Sequence, residues 1–114
     1  MKGTDSIAGL TGKINTFRDA RDWQRFHNPK DMAISISIEA AELLEHFQWR
    51  DAPECAAHVH YNREAIADEV ADVEIYLFEL PDILELDLGA EMLRKIEKNA
   101  VKYPPLPEQP RQVR

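Results

Sequence analysis

Two short acidic patterns stand out in the chain, Glu39-x-x-Glu42 and Glu69-x-x-Asp72. The first lies beside Ile36, Ala40, Leu43 and Phe47, and the second beside Ile66, Val70, Val73 and Leu77, both apolar rows at helical spacing. At ~100° per residue, helical positions three apart lie within about 60° of each other, so each acidic pair shares one flank of its row. Packing the two rows together brings four carboxylates toward one spot. Four anions beside a core repel one another and lose hydration, so they persist there only with a compensating cation. Their hard oxygens favour Mg²⁺, with Mn²⁺ as a substitute, over zinc or copper. The alternative is a solvated acidic rim screened by lysines and arginines elsewhere. One such pair is common on helix surfaces; a second on a second amphipathic helix is what argues for a site.

Other residues can serve that site. His46 falls on the flank of Glu39 and Glu42, and Tyr76 on that of Glu69 and Asp72, where either can contact a phosphate. For His46 an intrahelical pair with Glu42 is an equal reading. Lys95, Asn99 and Lys102 can hold phosphate oxygens by charge and amide donation. Their alternative is an ordinary basic helix C-terminus, favoured by the helix dipole. Trp23, His27 and Trp49 fall at the ends of the first two helical patterns, where an indole can stack on a flat ring or simply pack. Glu45 and Glu74 lie off the acidic flanks. His58 and His60 sit in a connection and make a weak metal pattern, and the E-x-x-H pairs of di-iron bundles are absent.

The elements that must position these groups are helices. Ile7, Leu10, Ile14 and Phe17 mark a first helix from Ser6 to about Arg25. Asn28-Pro29-Lys30-Asp31 reads as the start of a second, with Asn28 capping and Pro29 at the first helical position. It runs to about Trp49 and stops before Pro53. Residues 51–61 read as a connection with a short helical turn. A third helix spans about Asn62 to Leu80, where Pro81 ends or kinks it. Asp87 caps a fourth over 88–102. No strand alternation occurs, so the expected class is all-α, a four-helix bundle in a domain of residues 1–103. Residues 1–5 read as loose, and the proline-rich tail, 104–114, as extended or disordered.

The second helix carries a further apolar row, Ile34, Ile38, Ala41 and Leu44. A helix apolar on two sides is normally buried on both, and one chain of 114 residues can hardly cover both. A homo-oligomer, dimer or tetramer, is therefore expected, the alternative being a central helix within one monomer. With 14 basic residues against 21 acidic ones and a net charge of -7, no basic face for a nucleic-acid backbone is evident. Cys55 is the single cysteine, which excludes an internal disulfide and suits a reducing compartment. No leader pattern opens the sequence and no apolar run approaches ~18 residues, so the expectation is a cytoplasmic domain without membrane association.

The order of motifs resembles a known family. Arg21-Asp22-Trp23-x-x-Phe26-His27-x-Pro29 is followed by Glu39-x-x-Glu42-x-x-Glu45-x-Phe47-Gln48-Trp49. Then come Glu69-x-x-Asp72-Val73-x-Ile75-Tyr76-Leu77 and Lys95-x-x-x-Asn99-x-x-Lys102-Tyr103-Pro104. Together they resemble the MazG-like all-α nucleoside triphosphate pyrophosphohydrolases, nearest the small dCTP pyrophosphatase branch. The resemblance implies Mg²⁺-dependent cleavage of a nucleoside triphosphate to the monophosphate and pyrophosphate by paired subunits. By it, Glu39, Glu42, Glu69 and Asp72 are metal ligands; on chemical grounds a carboxylate not fully engaged by metal, Glu42 or Glu39, can accept the proton of the attacking water. Tyr76, Lys95 and Asn99 bind phosphate, and Trp23, His27 and Trp49 line the base pocket. Ile14 departs from a polar ring that dCTP-preferring relatives can carry, which leaves the base open. The rival expectation is a catalytically silent helical module whose acidic face binds a partner or a structural ion.

Overall fold

A computed structural model of the chain describes residues 6–107. The loose start expected for 1–5 and the tail from residue 108 lie outside the described residues; 104–107 carry no helix. The described residues form five α-helices, one 3-10 turn and no strand, so the fold is all-α. In chain order they are α1 (Ile7–Ala20), the turn Gln24–Phe26, α2 (Pro29–Glu45), α3 (Ala52–Tyr61), α4 (Arg63–Ile83) and α5 (Leu88–Lys102).

Side-chain caps set the starts. Ser6 accepts from the Gly9 amide at 3.0 Å, Asn28 from Asp31 at 2.9 Å and Asp87 from Ala90 at 3.1 Å. The expected connection over 51–61 is instead the ten-residue helix α3, which makes five helices rather than four. Asp51 and Glu54 form a reciprocal capping box, with bonds of 2.9 and 3.1 Å. Pro53 therefore belongs to the first turn of the next helix, where its missing N–H costs nothing.

The ends also differ from the expected boundaries. α1 stops at Ala20 because Asp22 turns left-handed, with φ 55°, and the Trp23 amide returns to the Arg18 carbonyl at 3.1 Å. That bond, with Asp22 to Asp19, is a Schellman closure built without glycine. α4 closes in the same way at Glu85, φ 57°, with the Leu86 amide on the Pro81 carbonyl at 2.8 Å. Pro81 thus sits in the last turn without ending the helix there. α2 gives way to turns after Glu45, and Trp49 has φ 79°.

α4 is the central element: α2 packs along it most extensively, α1 next, and α3 and α5 touch it less. Only Met32 and Glu79 are fully buried among the described residues. The radius of gyration is 18.2 Å, whereas a compact domain of this length has about 13 Å. Ile34, Ile38 and Leu44 of α2 and Met92, Leu93, Ile96 and Val101 of α5 face outward. Among the described residues no helix is long and apolar enough to cross a membrane.

Candidate active site

The α2–α4 packing brings the two acidic flanks together. Carboxylate oxygens of Glu39, Glu69 and Asp72 lie within 4.8 Å of one another. Glu39 and Glu69 are half-buried, and the Oε2 atom of each is buried without a hydrogen-bond partner. Burial first, then contact with the Glu42 carboxyl and its charge, then Glu69 and Asp72, push the Glu39 carboxyl up to about 7. All four expected carboxylates therefore converge, with Glu42 against Glu39 but outside the tightest group of three. Orphaned, buried oxygens of like charge fit a divalent cation. A cation would satisfy both oxygens and remove the repulsion that raises Glu39.

A cavity of about 500 Å³ adjoins this group and includes Glu39 and Asp72 in its wall. α1 contributes Ile14 and Phe17, and the link to α2 contributes Trp23 and His27. α4 contributes Tyr76 and Glu79. Phe17 and Trp23 meet edge-on, ring centres 5.7 Å apart, and the Arg21 guanidinium covers Phe17 at 3.5 Å. Burial, then the charges of Glu39, Glu79 and Asp72, push the Tyr76 hydroxyl up, so it stays a neutral donor. The wall thus combines carboxylates, a phenol and an apolar aromatic corner.

Glu79 is the group the sequence reading missed. It is 3% exposed, and its Oε2 lies 3.2 Å from His27 Nδ1, yet neither atom makes an aligned hydrogen bond. Burial pushes its carboxyl up, while His27 and Arg18 pull it back. A signal for it exists in the sequence: Asp72, Tyr76 and Glu79 stand at i, i+4 and i+7, on one helix face.

Several expected residues lie outside this cavity in the single chain. Trp49 is 92% exposed, and Lys95, Asn99 and Lys102 sit on the exposed α5. His46 leaves the acidic flank and pairs instead with His58, ring nitrogens 2.9 Å apart, while Asn62 donates to His58 Nδ1 at 3.1 Å or to its carbonyl.

The MazG-like family profile matches residues 34–112, and the chain belongs to that family. A solved structure of a pyrophosphatase from Archaeoglobus fulgidus superposes with a TM-score of 0.82. The two are 43% identical, over 87% of this chain and 93% of that one. The dCTP pyrophosphatase 1 proteins of Homo sapiens and Bos taurus are 36% and 34% identical over 90 residues, 77% of this chain. The chain spans about half the length of these curated relatives, 53% in each case.

Proposed function

We propose that this protein is a Mg²⁺-dependent nucleoside triphosphate pyrophosphohydrolase that releases the monophosphate and pyrophosphate. Its substrate on this reading is dCTP or a modified pyrimidine triphosphate, and its role is nucleotide-pool cleaning. The observation that carries the reading is the trio of converging carboxylates, two with orphaned buried oxygens, opening on an aromatic-walled cavity. The relatives named as pyrophosphatases support the same reaction class.

Glu39, Glu69 and Asp72, with Glu42 beside them, would hold the metal. Bound Mg²⁺ would lower the pKa of a water and offset the charge of the triphosphate tail. Glu42, beside that trio, would accept a proton from the water that attacks the α-phosphorus. Tyr76 donates to a phosphate oxygen, and Trp23 gives the base a flat face beside His27. Lys95, Asn99, Lys102 and Trp49 act across a homo-oligomer, each copy offering them to its partner's cavity. The exposed apolar faces of α2 and α5, and the extended shape of the single chain, support that assembly.

A panel of nucleoside triphosphates, assayed for monophosphate and pyrophosphate with and without Mg²⁺, tests the reading. Metal-dependent release of pyrophosphate supports it. Orthophosphate as the product, or no turnover of any triphosphate, sinks it in favour of the silent module.

A further inference from the structure

Beside Lys13, Arg18 and His27, the cavity wall holds a buried carboxylate that the phosphate end does not use, Glu79. Glu79 lies two turns beyond Asp72 on the same face of α4, about 10 Å along the axis at ~1.5 Å per residue. That is the separation expected between a nucleotide's α-phosphate and the far edge of its base. A carboxylate sealed from water is costly unless something donates to it. Its ion-pair partner, His27 Nδ1 at 3.2 Å, is too poorly aligned to satisfy either atom, Arg18 acts on it through charge, and all three line the cavity. Acceptor capacity is left over beside the aromatic corner of Phe17 and Trp23.

We propose that Glu79, positioned by His27, reads the base, its carboxylate accepting a hydrogen bond from the exocyclic amine of cytosine. This rests on the nucleotide reading above and names the residue that chooses among pyrimidines. His27 and Arg18 draw Glu79 toward its ionised form against burial, and when ionised it has acceptors only, so it pairs with an amino group and repels a carbonyl oxygen at the same position. Uracil and thymine carry that oxygen. The site therefore selects dCTP over dUTP and dTTP, by opposing the wrong base as well as by binding the right one.

The first test needs no variant. On the wild-type protein, kcat/KM for dCTP is compared with that for dUTP and for the deoxynucleotide analogue lacking the 4-amino group. A drop of about ten- to a hundredfold for both is expected; equal values overturn the inference. In Glu79→Gln the side-chain amide can donate to a carbonyl oxygen, so the dCTP/dUTP ratio should collapse by about tenfold or more. A variant that loses thermal stability but keeps the ratio makes Glu79 a packing residue and overturns it. Calorimetric titration of dCMP and dUMP into the wild type separates this inference from the hydrolytic reading. If no triphosphate is cleaved, tighter binding of dCMP still supports a base-reading Glu79, and equal binding removes it.

Discussion

The cavity wall along α4 and the outer face of α5 expose the chain to opposite costs. Around that wall, polar atoms are shut away from water without a hydrogen bond: one oxygen each on Glu39, Glu69 and Glu79, and a nitrogen on His27. On α5, apolar side chains stand in water, with Leu93 66%, Ile96 60% and Val101 83% exposed. An unpaired buried polar group costs about 1–3 kcal/mol and more when charged. An aliphatic side chain left in solvent forgoes about 1.5–3 kcal/mol. Each deficit describes the thing that would relieve it. The first asks for a cation and a hydrogen-bonding ligand, the second for an apolar protein surface.

The largest effect separating the two regions comes from the acidic group. Glu39→Gln should lower pyrophosphate release by about a thousandfold or more, since it removes the charge that holds metal and keeps the shape. Without Mg²⁺ the same variant should melt higher than the wild type, because it relieves repulsion among buried anions. Wild-type protein should gain stability on adding Mg²⁺ and the variant much less. A wild type that melts at one temperature with and without Mg²⁺ would remove the metal from the acidic trio.

Next comes the apolar side. Ile38→Asp places a charge on a side chain already 53% exposed, so the single chain should fold while the assembly falls apart. Light scattering should show the mass drop to that of one chain, with pyrophosphate release reduced by about tenfold or more. An unchanged mass would mean that the second face of α2 is not the contact.

Smaller effects sharpen the comparison within the substrate contacts. Trp23→Ala should raise KM by about tenfold with a smaller change in kcat, since a stacked ring contributes about 1–3 kcal/mol. Trp49→Ala should do the same only while the oligomer holds, and nothing further in the Ile38→Asp background. Equal effects of Trp49→Ala in both backgrounds would place that ring inside its own chain's site.

The smallest is a pH effect. Burial raises Glu79 in the folded chain, so the fold binds its proton more tightly than the unfolded chain does. Stability from this group is present below the ordinary carboxylate range and declines as pH rises from that range through the raised value. Thermal melts across that window should fall less steeply for Glu79→Gln than for the wild type. Parallel curves would show that Glu79 does not titrate with folding.

Much of this is legible locally. Asn28-Pro29 and Asp87 start helices where the sequence places them, because a cap acts through atoms within one turn. The boundaries that shifted, at Asp22, Pro53 and Glu85, turn on backbone geometry that non-glycine residues rarely adopt, or on a proline that can close one helix or open the next.

What the sequence by itself determined is angular. A period of ~3.6 residues sets which side chains share a flank, so spacing alone pairs Glu39 with Glu42 and Glu69 with Asp72. It also marks the second apolar row of α2, and that row is uncovered within the chain. Only the tertiary structure decided which flanks meet. Three carboxylates close to within 4.8 Å, His46 turns to His58, and His27 comes to Glu79 from the far side of α2 in sequence. Periodicity fixes a direction around one axis; the distance between two axes depends on how whole helices pack, and no spacing along the chain encodes it.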